Sequence, residues 1–326
     1  MAKDAVNTAP EQNHKTEPKW LQYIEYLGFR VLMGFISIMP LSVNYAVAYV
    51  VAWVFYHLDF YHRNRAITHI FHSGILNDRK KAKELVFAYF WHVGKVIVET
   101  IKARQVITPV NFREYIELEA DDDIKHRFFN EDGASEQAIL VSGHLGNWEL
   151  AGMAYTLFSG KRLLTIVRPY ENVYIRQFIF KIRETDKHGT VSKKQGIRPL
   201  LEAINNGNSI AIIADQHASR REGIEITSFN HPARAHRSPS HLALHCHCPI
   251  LVGALIRKDD RLHYKLVVSG IIEDFKNTGE REEDIRRVTQ CYNDYLEKLI
   301  RQYPEQWLWA HRRWLDCNRK HSGKAR

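Results

Sequence analysis

The chain patterns as an α/β fold. It should form a largely parallel sheet flanked by helices, behind a hydrophobic N-terminal helical segment able to anchor it in a membrane. Three observations carry that expectation. Short apolar runs alternate with amphipathic segments through the second half of the chain, as strands alternate with the helices that cover them. The stretch from Val31 to Leu58 contains no Asp, Glu, Lys or Arg. The 326 residues, 45% of them hydrophobic, can bury one large core.

Residues 1–19 are polar and are expected to form a disordered tail, with no small-residue cleavage site of a secretory signal. The anchor spans 20–60. Its apolar stretch is long enough to cross a bilayer. Pro40, Ser42 and Asn44 interrupt it, so it reads either as a kinked span or as a shallow helical hairpin in one leaflet. Arg63, Arg65, Arg79, Lys80, Lys81 and Lys83 follow, and positive charge beside an apolar segment marks the cytoplasmic side. The domain at 61–318 should therefore face the cytoplasm. Within it, Ala82 to Lys102 reads as an amphipathic helix whose aromatic face packs into the core.

Strands are expected at Ala138–Val141, Arg162–Val167, Ser209–Ala214, Pro249–Ile256 and Leu262–Val268. Helices are expected from Asn147, from Asn172 to about Asp186, over Gln195–Asn206 and over Arg281–Gln302. The helix at Asn147 has an asparagine N-cap and apolar Leu150, Met153, Ala154 and Leu157 at helical spacing. The segment 319–326 is a basic tail.

The stretch AILVSGHLGNWELAGMAYTLF, from Ala138 to Phe158, organises the chain. Its strand–turn–helix pattern puts His144 at the carboxyl end of a strand and Glu149 in the first turn of the next helix. Open α/β sheets bind their ligands at that edge. Histidine is readily poised as a general base near neutral pH, and a carboxylate on its other ring nitrogen would fix the tautomer. Glu149 is expected to be that carboxylate. No G-x-S-x-G nucleophile motif accompanies the pair, so a substrate hydroxyl activated by His144 would attack directly. The bland alternative is a strand-capping histidine and a glutamate that complements the helix dipole.

Arg168 and Asp215 each follow a strand and should sit at the same edge, while Arg183 ends the helix between. The two guanidinium groups could hold a phosphate or steady a developing oxyanion. His245-Cys246-His247-Cys248 matches no zinc spacing, and no metal is expected. The four cysteines, Cys246, Cys248, Cys291 and Cys317, form no CxxC pair and read as reduced thiols. Tyr303 to Trp314 mixes aromatics with Arg312 and Arg313, either as an interfacial contact or as a return of the chain to the active-site edge. A net charge of +9 favours an acidic partner. Phospholipid headgroups, a phosphorylated glycolipid and an acidic carrier protein all qualify. Nucleic acid is disfavoured, because no recognition helix, zinc finger or stacking-sheet motif is present.

Taken together, GHLGNWELAG, V-R-P, A-D-Q and the closing P-E-Q-W-L-W-A-H-R-R resemble the bacterial lipid A late acyltransferases (the lauroyl/myristoyl group) of the lysophospholipid acyltransferase superfamily. The resemblance covers residues 27 to 315 or so. It implies a glycerolipid acyltransferase-like domain anchored to the cytoplasmic face of the inner membrane. The implied reaction is acyl transfer from an acyl carrier protein thioester, with acyl-CoA the alternative donor, to a hydroxyl of a lipid A precursor. No cofactor is implied. It further implies His144 as base, Glu149 as its partner, and Arg183 and Asp215 as catalytic positions, with Gly146, Asn147 and Arg168 as substrate-binding positions. Acylation of another glycolipid or lysophospholipid, or a catalytically silent glycolipid-binding relative, are the alternative outcomes.

Overall fold

The computed structural model describes residues 18–130, 135–167, 170–183, 187–192 and 196–314. Most of the N-terminal tail, the basic C-terminal tail, Cys317 and Arg168 lie outside them. In chain order the first elements are α1 (Lys19–Ile38), α2 (Leu41–Leu58), α3 (Phe60–Ser73), α4 (Arg79–Val106), α5 (Phe112–Tyr115), β1 (Ile116–Glu119) and α6 (Asp122–Phe128). Then come β2 (Ile139–Ser142), α7 (Trp148–Ser159), β3 (Leu163–Val167), α8 (Val173–Arg183), β4 (His188–Ser192), α9 (Arg198–Asn205) and β5 (Ser209–Ile213). The chain continues through β6 (Gly223–Ser228), β7 (His231–His236), α10 (Ser238–Cys246), β8 (Ile250–Arg257), β9 (Tyr264–Ile272) and α11 (Arg281–Gln302).

Among the described residues, seven strands make one sheet in the order β1-β9-β8-β2-β5-β3-β4. The five from β8 to β4 are parallel, while β9 returns antiparallel to β8 and carries β1 parallel to itself. Each strand anticipated from the apolar runs is present to within a few residues. Two short strands, β1 and β4, were not anticipated, because IELE and HGTVS lack an apolar run. The β6–β7 hairpin stands apart from the sheet and was also missed.

Side-chain alternation divides the core. On β2, Ile139 and Val141 pack with α9, α10 and α11, while Leu140 points to the other face, against α7. A third cluster joins α3, α4 and the closing segment from Leu299 to Trp314.

The apolar N-terminal stretch is two helices, broken at Met39 and Pro40. Asn44 explains the break: its Nδ2 donates to the Ile36 carbonyl at 2.9 Å and the Met39 carbonyl at 3.1 Å, satisfying groups that the end of α1 leaves open. Of the described helices, α2 is the one long and apolar enough to cross a membrane, with a mean hydropathy of 1.4 and only 22% buried. Its eighteen residues would span about 27 Å, close to a bilayer's hydrocarbon thickness. One face of α2 rests on α4 through Tyr45, Ala48 and Ala52, and Val43, Val47, Val50, Val54 and Leu58 are exposed.

Candidate active site

The parallel register of β2 and β5 builds the site. Ser142 pairs with Ile213, so the residues two beyond each strand, His144 and Asp215, come side by side at the carboxyl edge of the sheet. His144 Nδ1 lies 2.8 Å from Asp215 Oδ1, and the His144 backbone N–H donates to Asp215 Oδ2 at 2.7 Å. Gly143 permits the approach, since a Cβ there would stand 3.0 Å from Asp215 Oδ2. Asp215 is buried and His144 is partly open.

The partner that the sequence suggested for the ring was Glu149, and here the structure differs. The hydrogen bond at Nδ1 goes to Asp215, while Glu149, in the first turn of α7, acts on the imidazole through its charge. Five residues of turn and helix separate His144 from Glu149, whereas a strand pairing delivers Asp215 directly opposite. Burial opposes a protonated ring at His144, but the Asp215 charge and hydrogen bond, with the Glu149 charge, outweigh it and raise the pKa. Burial also opposes ionisation of Asp215. The charge of His144, that of His311 once the pH is low enough to protonate it, and the hydrogen bonds from His144 and Trp307 hold its carboxyl far below the usual carboxylate range.

The closing segment returns to this edge, one of the two placements its sequence allowed. Trp307 Nε1 donates to Asp215 Oδ2 at 2.9 Å, and Leu308 N donates to the His144 carbonyl at 3.0 Å. His311 and Arg313 both reach the Asp215 carbonyl at 3.4 Å. Burial pushes the His311 imidazole down to about 4, so it is neutral near pH 7 despite the Asp215 charge. Sequence reading gave no role to Trp307 or His311. The P-E-Q-W-L-W-A-H-R-R run was visible, but a link spanning 92 residues carries no local signal.

Gly146 and Asn147, expected to touch substrate, instead build the turn. Gly146 has φ +61, and a Cβ there would lie 2.1 Å from the Leu255 carbonyl oxygen, so only glycine fits. Asn147 is fully buried. Its Oδ1 caps α7 by accepting from Leu150 N at 3.1 Å, and its Nδ2 donates to Glu99 Oε2 at 3.1 Å. The turn's amides are also committed. Besides the His144 N–H on Asp215, Gly146 N donates to the Gln306 carbonyl at 3.0 Å and Asn147 N to Leu255 at 2.7 Å. Those three donors are therefore not an oxyanion hole. Arg183 ends α8, its side chain outside the described residues, as is Arg168.

Behind the turn lies a buried charged cluster that the sequence reading missed. Arg257, at the end of β8, makes a two-pronged ion pair with Glu99 of α4 and donates from Nη1 to His92 Nδ1 at 2.8 Å. His92 Nε2 faces the Gly146 carbonyl at 3.2 Å. Burial and the Arg257 charge hold His92 well below its usual pKa, so the ring is neutral, accepting from Arg257 and donating to Gly146. Every side-chain nitrogen of Arg257 and both carboxylate oxygens of Glu99 are hydrogen-bonded, as a buried pair requires.

A cavity of about 480 Å³ opens beside His144. Its lining includes the polar His144, Glu149, Gln216 and Ser238 and is otherwise mostly apolar, with Ala151 of α7 and Leu140, Leu251 and Leu266 of the sheet. Thr165 and His188 bond to one another at 2.7 Å in that lining. The His245–Cys248 run sits at the end of α10 with His247 left-handed at φ 49 and Cys248 buried. Among the described residues no group of three His, Cys, Asp or Glu is arranged to hold a metal.

The model of the bacterial lipid A biosynthesis acyltransferase family matches residues 11–316. A lipid A biosynthesis palmitoleoyltransferase of Escherichia coli (strain K12) is 21% identical over 235 residues, 72% of each chain. A lipid A biosynthesis acyltransferase of Shigella flexneri is similar to the same extent, 21% over 235 residues and 72% of each chain.

Proposed function

This chain belongs to the bacterial lipid A biosynthesis acyltransferases, and from that premise we propose that it moves a fatty acyl group from an acyl carrier protein thioester to a hydroxyl of a lipid A precursor. The observation that carries the mechanism is the His144–Asp215 pair opening on a mostly apolar cavity. Nδ1–H bonded to Asp215 leaves Nε2 as the basic nitrogen. It takes the proton of the acceptor hydroxyl while that oxygen attacks the thioester carbonyl. The new C–O bond forms, the C–S bond breaks, and the proton passes from the imidazolium to the departing thiolate. General-base catalysis of this kind contributes on the order of 100- to 10,000-fold. The Asp215 carboxylate stabilises the imidazolium, and Glu149 adds a second negative charge beside it.

Arg183 is the cation assigned to the developing oxyanion, where losing one donor typically costs about 3 kcal/mol. Arg168 is assigned to the acceptor phosphates. The acyl chain lies along the wall between α7 and the sheet. The protein sits on the inner membrane with α2 in the bilayer and the sheet's carboxyl edge toward the cytoplasmic leaflet. The exposed apolar face of α2 and the basic residues that follow it support that placement.

The test is transfer by purified protein in detergent from lauroyl- and myristoyl-carrier protein to a tetra-acylated lipid A precursor, with His144→Ala alongside. Transfer that disappears in the variant is expected. Near-normal turnover by His144→Ala would overturn the mechanism, and variant-sensitive transfer to a different glycolipid or from acyl-CoA would move the substrate.

A further inference from the structure

The apolar helix α2 is held to the rest of the protein mainly by contacts without direction. Ala48 meets α4 where Gly94 leaves room, a Cβ at Gly94 standing 3.3 Å from the Ala48 Cβ. Such contacts fix neither the rotation nor the depth of a helix whose other face offers itself to lipid, because hydrophobic association is non-directional. Besides the Asn44 bonds to the end of α1 and the Arg63 bond to the Tyr56 carbonyl, one bond from α2 reaches α4 with direction. Tyr45, in its second turn and buried, donates its hydroxyl to Glu99 Oε1 at 2.9 Å. The other oxygen of that carboxylate accepts from Asn147 Nδ2 at 3.1 Å, and Asn147 begins α7 three residues after His144. The same carboxylate holds Arg257, which holds His92, which donates to the Gly146 carbonyl. Glu99 is wholly buried, so each of its donors matters to where it sits. From the hydroxyl of an apolar helix to the turn that follows His144, the chain of hydrogen bonds is continuous.

We infer that Tyr45 is a positioning residue for the His144 turn, acting through Glu99 and Asn147, so that the helix seated in the lipid also holds the turn that carries the base. The inference rests on the acyltransferase reading for its kinetic consequence, but its structural half does not. A phenol hydroxyl moved into hydrocarbon without a partner is unfavourable, so α2 seats with Tyr45 on Glu99 or the carboxylate loses a donor. Tilting or withdrawing α2 would then loosen the cap of α7 and the geometry of His144. A displacement of about 1 Å at a reacting group can cost on the order of 100-fold in rate.

The variant is Tyr45→Phe, which keeps the ring and its packing and removes the hydroxyl. Tyr49→Phe, on the same helix with its ring edge-on to Trp91, is the control. Transfer is measured in detergent micelles. In Tyr45→Phe kcat is expected to fall about tenfold, with KM for both substrates within about twofold, since a hydrogen bond to a charged group is stronger than one between neutral groups. Tyr49→Phe should keep its kcat. Asn147→Ser retains an N-cap residue but cannot reach Glu99, so in that background Tyr45→Phe should cost less than about twofold. Hydrogen exchange over residues 143–150 needs no activity. It should speed up about tenfold in Tyr45→Phe and not in Tyr49→Phe. An unchanged kcat with unchanged exchange overturns the inference. So does a full loss from Tyr45→Phe in the Asn147→Ser background, or a change confined to KM. If wild-type protein transfers nothing to any hydroxyl, the acyltransferase reading fails alone, and the exchange comparison still decides the link.

Discussion

Replacing Asp215 with Asn separates the two carboxylates that could serve His144. Asp215 Oδ2 accepts from both the His144 N–H at 2.7 Å and Trp307 Nε1–H at 2.9 Å. In Asp215→Asn the amide oxygen takes that place, because only an acceptor satisfies two donors. The NH2 group then faces His144 Nδ1, 2.8 Å away in the native protein. A donor there forces Nδ1 to accept, which puts the ring proton on Nε2 and removes the base. A wrong tautomer of this kind in a Ser-His-Asp triad lowers kcat about 10,000-fold, or about 5.5 kcal/mol of barrier. Folding should survive, since both donors on Oδ2 stay paired.

The pH profile carries a sign as well. Burial works against His144 protonation, and Asp215 overcomes it, so the wild-type acid limb should lie above the ordinary imidazole value. Neutralising residue 215 leaves burial and the Glu149 charge in competition, and the limb of any residual activity should move to lower pH. The assay is kcat and kcat/KM against pH, with thermal unfolding beside it. Glu149→Gln is the comparison and should lose less than Asp215→Asn. If Asp215→Asn kept kcat within about threefold of wild type while Glu149→Gln abolished it, the pairing argued from the strand register would be wrong.

Other changes probe the frame around the site. Arg257→Ala strands the buried Glu99 carboxylate, and denaturant unfolding should show a loss of about 3–5 kcal/mol, the usual cost of breaking a buried pair. Gly152 lines the cavity, and a Cβ there would lie 2.8 Å from His188 Cε1. Gly152→Ala should narrow the acyl path and shift donor preference from myristoyl toward lauroyl. The shift should be about fourfold per methylene excluded, at about 0.8 kcal/mol each, read from competing donors; no shift would mean the chain lies elsewhere. Val50, 58% exposed on α2, faces the proposed lipid. Val50→Asp should lower the vesicle-bound fraction on the order of 100-fold in a flotation assay, since an acid at a helix centre costs about 3 kcal/mol in the bilayer.

What the sequence by itself determined was everything that recurs locally. Apolar runs bounded by turns located β2, β3, β5, β8 and β9. The strand–turn–helix at His144 and the acid after β5 put two site residues at one sheet edge, and the charge-free stretch marked the N-terminal apolar helices. Those signals arise from steric and solvation preferences over a few residues, which any reader of the chain can sum. The tertiary structure decided which groups meet. Register placed Asp215 rather than Glu149 on Nδ1, across 71 residues. It brought Trp307 and His311 onto the same carboxylate, and turned Gly146 and Asn147 from substrate contacts into supports of the turn. It also assembled Tyr45, His92, Glu99 and Arg257 from three elements into one buried cluster. Each residue of that cluster looks unremarkable in its own segment. A buried charge is tolerated only where distant partners satisfy it, and chain closure alone sets which partners arrive.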